Sequence, residues 1–244
     1  DRPNPLGGER VEGPVSAPRD VVPMSFVNMA PGPMVHGLTL GEMARYVNRR
    51  LDEPAQLTVV TMKGWERSMT WVDTGRDWIP PSPNIRSPEA AIAYPGVCLL
   101  EASSVSAGRG TPSPFLYFGA PWIRPVEIRV SVAGFELEPA TFTPVTSPAA
   151  PDAQFRDQKC HGMRVRITDP AKAESYRLGV ELLAALQHEE EFTWGRDGES
   201  LAWLVGTRRL LRDLQEGKSV EEIVEADETD HRAWREARAP ILLY

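Results

Sequence analysis

Cysteine is almost absent from this chain: two in 244 residues, Cys98 and Cys160. Two cysteines are too few for a disulfide framework, and without a CxxC spacing they offer neither a zinc knuckle nor a redox pair, so both are expected as buried thiols. Long apolar runs are missing too. Nothing approaches the ~18 residues that would span a bilayer, and residues 1–30 have neither a basic start nor an apolar centre, so any export address would precede Asp1. Basic clusters interleaved with aromatics are also lacking, and 27 basic against 34 acidic residues leave a net charge of −7, which argues against a nucleic-acid partner. There is no phosphate loop, dinucleotide fingerprint, GxSxG elbow or HExxH helix. Nucleotide chemistry, serine hydrolysis and zinc proteolysis are therefore poor readings, and no cofactor or metal is expected.

Proline is present but uneven. Of 23, seven lie in residues 1–33 and thirteen between Pro80 and Pro151, leaving only Pro54, Pro170 and Pro240. The first and middle parts are expected to be loop-rich, with "TSPAAP" at 146–151 a surface loop, and the last ninety or so residues are free to be helical. The opening "DRPNPLGG" has the composition of a turn that follows a strand.

Periodicity supplies the elements. Thr39 to Glu42 spells a capping box, and Leu40, Met43, Ala44, Val47 and Leu51 recur at helical spacing, predicting an amphipathic helix over 40–51. "LTVVTM" at 57–62 and "GVCLL" at 96–100 are short apolar runs bounded by breakers, expected as buried strands with the helix "SPEAAIAY" between them. "VEIRVSV" at 126–132 and "GMRVRIT" at 162–168 alternate, and predict strands with one wet face. A helix over 172–187 carries Tyr176, Val180, Leu183 and Leu186 inward, and another over 200–217 closes on Gly217. Ser219 to Glu222 is a second capping box, a last helix starts at Asp227 to Asp230, and Pro240 stops it. The fold class is mixed α/β.

In such folds ligands sit beyond strand ends. Glu101 would directly follow the strand "GVCLL" and open the loop "EASSVSAGRGT", where Arg109 stands between two glycines. A carboxylate beside a guanidinium suits a general acid or base with a partner for an anionic substrate; the pair equally suits a salt bridge pinning a turn. His36, just before a helix N-terminus, is a ligand candidate or a packed histidine. Trp65, Trp71, Trp78 and Trp122 are able to stack on sugar faces or simply bury area. The acidic runs at 187–191 and 226–231 read as solvated faces and caps, and Glu42 as the capping-box partner.

Taken in order, "DRPNPLGG" with "VEGP", "HGLTLGEMARYVN", "LTVVTMKGWER", "TGRDWIPPSPNI", "YPGVCLLEASSVSAGRGTPSPFLYFGAPWI", "CHGMRVRITD" and the terminal "ILLY" resemble the C-terminal portion of the exo-β-N-acetylmuramidase family, bacterial glycoside hydrolases of peptidoglycan recycling. The resemblance implies the end of a Rossmann-like domain over residues 1–38, followed by a smaller mixed α/β domain with a helical C-terminus over 39–244, and a substrate cleft between the two. It implies release of N-acetylmuramic acid from the non-reducing end of peptidoglycan fragments in the cell envelope or outside the cell. Asp1, Arg2 and Asn4 would line one side of the cleft, with His36, Asn84, Glu101, Arg109 and Thr111 on the other. The family's favoured catalytic glutamate lies in a proline-glutamate-histidine-glycine motif that does not occur here, so the chain alone is expected to be inactive and to need an N-terminal Rossmann-like half. Glycoside hydrolysis employs two carboxyl groups. Glu101 is then the second catalytic group, or a ligand to sugar hydroxyls, and Arg109 the bidentate partner of the lactyl carboxylate. "EASS" departs from the family's usual glutamate, glycine, threonine and asparagine, and Ser104 in place of the amide weakens any bond to a sugar acetamido group there. A non-catalytic sugar-binding or regulatory module of the same fold is the second reading; an α/β hydrolase of another substrate is the third. An apolar patch left uncovered near residues 1–35 would favour the first.

Overall fold

The structure, a computed structural model, describes residues 1–16, 22 and 27–244. Ten regular elements follow one another in it: α1 (Leu40–Asn48), α2 (Pro88–Val97), β1 (Tyr117–Ala120), β2 (Phe135–Phe142), β3 (Cys160–Ile167), α3 (Ser175–Leu186), α4 (Glu199–Val205), α5 (Arg209–Gln215), α6 (Val220–Glu225) and α7 (Glu228–Arg238). The three strands form one antiparallel sheet in the order β1-β3-β2, with Tyr117 opposite Arg164 and Phe135 opposite Ile167. The class is mixed α/β with a small antiparallel sheet.

The alternation in "GMRVRIT" lands as expected. Met163 and Val165 of the central strand are buried, whereas Arg164 and Arg166 face out, and Arg166 pairs across the ladder with Glu136 and Glu138 of β2. Helix α3 buries Tyr176, Val180, Leu183 and Leu186 as the spacing predicts. Both capping boxes form, at Thr39 with Glu42 and at Ser219 with Glu222. Both cysteines are free and buried.

Three predicted strands do not form. Residues 96–100 continue a helix instead: Ser87 caps it, Pro88 starts it, and α2 runs on into a 3-10 turn over Cys98–Ala102. A short apolar run has no period to distinguish a strand from a helix buried on every side, and α2 is such a helix. Its path requires Gly96, since a methyl group there would stand 2.1 Å from the Ser175 carbonyl oxygen and 2.9 Å from the Gly179 amide. Two glycines thus let α2 and α3 cross almost backbone to backbone. Residues 126–132 keep their alternation, with Ile128, Val130 and Val132 toward the core, yet Pro125 opens a 3-10 turn and no strand among the described residues pairs with the segment. Residues 57–62 are exposed rather than buried, with Val60 78% accessible, and have no ladder partner among the described residues. The helix expected over 200–217 is split into α4 and α5 at Gly206, which adopts the left-handed conformation.

Helix α1 also turns a different face inward. Its buried residues are Gly41, Glu42 and Tyr46, while Leu40 and Val47 are exposed, as is Leu51 beyond it. Polar anchoring selects that face. The Glu42 carboxylate, wholly buried, accepts from the Thr39 amide, the Arg67 guanidinium at 2.8 Å and the Leu243 amide at 2.8 Å, and Tyr46 packs edge-on against Trp234. The main core surrounds α2, α3 and the sheet, and a smaller cluster of Val11, Leu38, Tyr46, Trp234 and Ile241 joins the first part of the chain to α7. A polar seam reinforces that joint: His231 Nε2 donates to the Gly13 carbonyl at 2.8 Å, and the Tyr244 hydroxyl receives the Met62 amide and donates to Asp1.

Candidate functional site

Two groups of the predicted site residues emerge, in different places. Asp1, Arg2, Asn4 and His36 line a broad open hollow of about 1220 Å³, together with Lys63, Trp65, Trp71, Arg76 and Trp78. Glu101, Arg109, Asn84 and Thr111 are not among its lining residues; they gather around the loop that leaves the α2 turn.

Local chemistry builds the hollow. Asp1 anchors its floor, since one carboxylate oxygen accepts from the Gly41 and Arg2 amides, both at 2.6 Å, and the other from the Thr39 hydroxyl at 2.7 Å and the Tyr244 hydroxyl at 2.9 Å. A carboxylate at the N-terminus of a nine-residue helix is favourably placed against the helix dipole. Asn4 donates to the Leu38 carbonyl at 3.0 Å and accepts from the Leu6 amide, fixing the turn that carries Arg2. Trp71 and Trp78 meet edge to face, 5.1 Å between centroids, and each indole nitrogen donates to a backbone carbonyl, so the rings are held while remaining partly accessible. Trp65 is buried against Tyr244. Trp122 lies elsewhere, packed on the main core.

His36 is the titratable group that the hollow perturbs most. Its Nδ1 accepts from the Leu38 amide at 3.0 Å, and burial, with Arg238 close by, lowers its pKa to about 4. The imidazole is therefore neutral at neutral pH.

In the second group Arg109 pairs with Glu101 at 3.2 Å and reaches Asp152 at 3.5 Å. Glu101 belongs to the 3-10 turn after α2, not to a strand end. Burial raises its pKa, and the neighbouring guanidinium opposes the rise. Asn84 donates to the Ala149 carbonyl at 2.7 Å, and Thr111 turns its hydroxyl back to the Gly108 carbonyl at 2.7 Å. The loops over 101–113 and 144–154 are thereby laced together, with a partly exposed carboxylate of raised pKa at their edge. Lys63 and Arg76, exposed among the lining residues of the hollow, are not among the expected site residues, although each stands two residues from a tryptophan, Trp65 and Trp78, within the stretches that carry the resemblance.

Comparison with solved structures gives the fold class first. Crystal structures of two DUF1343 family proteins from Bacteroides fragilis NCTC 9343 superpose over the whole chain with TM-scores of 0.85 and 0.79, at 27% and 30% identity, and the chain covers 65% of each. The family description "Exo-beta-N-acetylmuramidase NamZ, N-terminal" matches residues 1–89 and its C-terminal counterpart matches residues 92–244, so this chain belongs to the exo-β-N-acetylmuramidase NamZ family. It is also 34% identical over 251 aligned positions to the peptidoglycan β-N-acetylmuramidase NamZ of Bacillus subtilis strain 168, of which it spans 58%.

Proposed function

We propose that this chain forms part of a glycoside hydrolase that releases N-acetylmuramic acid from the non-reducing end of peptidoglycan fragments in the cell envelope. The observation that carries the reading is the hollow: a concave surface lined by two held tryptophans, a neutral histidine, and Arg2, Lys63 and Arg76 beside Asp1, Asp73 and Asp77 suits a sugar that has both an apolar ring face and polar substituents, an acidic one among them. Residues 1–38 would end a Rossmann-like unit, the hollow would be one wall of a cleft, and the principal acid would come from an N-terminal part of the whole enzyme. In this reading Glu101 supplies the second carboxyl group. Burial raises its pKa, the direction that favours a proton-carrying carboxyl group, whereas Arg109, already bridged to Glu101, would have to exchange that bond for the lactyl carboxylate.

A non-catalytic sugar-binding module is the second reading, and the separation of Glu101 from the hollow favours it. Release of chromophore from a chromogenic β-N-acetylmuramide, by this chain with and without an added N-terminal half, separates the two. Turnover on complementation that falls at least tenfold in Glu101→Gln supports the enzyme; undiminished turnover removes Glu101 from the chemistry, and binding without turnover under every condition leaves the module. Arg109→Ala should weaken the preference for muramides over glucosaminides.

A further inference from the structure

The backbone around His36 is clamped from several directions. Its carbonyl accepts from the Trp234 indole at 2.9 Å and the Arg238 guanidinium at 2.9 Å, and the next carbonyl, of Gly37, accepts from Arg238 at 3.0 Å and from Arg67. Residue 37 has φ of +61°, and a methyl group there would lie 2.0 Å from the Arg238 guanidinium, so glycine is the residue that closes this turn. The ring is fixed as well. With Nδ1 accepting from the Leu38 amide, the single proton of the neutral imidazole sits on Nε2. Burial, and after it the Arg238 guanidinium from α7, oppose a second proton. No described residue hydrogen-bonds to Nε2, and the ring lines the hollow beside Arg2 and Asn4.

We propose that His36 is a specificity-determining residue of the hollow, a fixed neutral donor whose Nε2–H binds the acetamido carbonyl oxygen of a 2-acetamido sugar. This rests on the muramide reading of the hollow. An uncharged donor gains little over water from a carboxylate, for which Arg2, Lys63 and Arg76 are better placed, and an amide carbonyl is the strongest uncharged acceptor on such a sugar. Neutrality adds a second advantage: the donor brings no charge that a hydroxyl-only sugar would have to leave unpaired. The role differs from that expected of a general acid, since the proton stays on the ring.

Nitrogen-resolved NMR of the imidazoles in the whole chain tests the tautomer without any variant, and sugar titrations test the contact. The expected result is an Nε2–H tautomer for His36 from neutral pH to about 5.5, with a ring shift on adding methyl β-N-acetylmuramide or methyl β-N-acetylglucosaminide but not methyl β-glucoside. His36→Asn keeps an acceptor for the Leu38 amide but has no donor reaching the Nε2 position, and should weaken both acetamido sugars by about five- to tenfold while leaving the glucoside unchanged. His36→Gln, which restores a donor near Nε2, should recover most of that loss. An Nδ1–H tautomer, an imidazolium within this pH range, or a His36→Asn chain that binds like the parent overturns the proposal. If the sugars shift the Trp71 and Trp78 indole signals but not His36, the donor role fails and the hollow still binds sugar. If no sugar moves any of these signals at millimolar concentration, the muramide reading fails and the donor role falls with it.

Discussion

Glu42 shows how much one side chain decides. Fully buried, it satisfies two backbone amides and a guanidinium at once, and in doing so it draws the start of α1, Arg67 and the tail at Leu243 to a single point. Removing its charge would leave the half-buried Arg67 without its counter-ion. Glu42→Gln should therefore lower stability by about 3–5 kcal/mol, the range for breaking a buried pair, read from urea unfolding. Asp227 makes a different prediction. Burial raises its pKa from 3.8 to about 6, against the attraction of Arg209, so the native state binds the proton more readily than the unfolded chain. Its contribution to stability is full below pH 3.8 and is lost as pH rises through about 6. Asp227→Asn should raise the melting temperature relative to the parent progressively across that window, and a constant offset from pH 4 to 7 would contradict it. His36 acts in the opposite sense: its lowered pKa contributes stability above pH 6.5 that is lost as pH falls through about 4.

Among the elements, those fixed by local chemistry are legible in the sequence. A hydroxyl three residues before a glutamate caps a helix whatever surrounds it, and both such sites form. The periodic stripe of α3 and the alternation of β3 are read correctly because many side chains repeat the same message. What is not legible depends on partners far away in the chain. The inward face of α1 is set by Arg67, Trp234 and Leu243, so its apolar stripe misleads. β2 contains Pro139 and two outward glutamates, and a proline inside a run argues against a strand unless the strand lies at an edge, as this one does. The candidate site divides in the same way: Asp1, Arg2, Asn4 and His36 line one hollow, although the resemblance sets His36 across the cleft from the other three, and the strand expected to carry Glu101 is in fact the end of a helix. The crossing of α2 and α3 offers a direct test. Gly96→Ala forces a methyl group against the Ser175 carbonyl, and should destabilise by about 1–3 kcal/mol, the usual range for overpacking, seen as a lower denaturation midpoint with unchanged slope.

Across the whole molecule, described residues of the first sixty or so are tied to the C-terminal end through His231, Trp234, Arg238, Leu243 and Tyr244. The hollow is thus supported by residues at both ends of the sequence, and its geometry reports on the packing of α7. Beside that support lies the stretch 57–62, where Leu57 and Val60 are exposed and no ladder forms among the described residues. Its consequence is colloidal. A segment outside any ladder, with exposed leucine and valine, is a place where another chain can associate, and charge at the centre of such a stretch is how natural sequences suppress that association. Concentrated solutions of this chain should scatter light increasingly with concentration, and Val60→Lys should abolish the increase while leaving the melting temperature in place. Crowding would then set the working range of the free chain, and a covering surface laid along residues 57–62 would extend it.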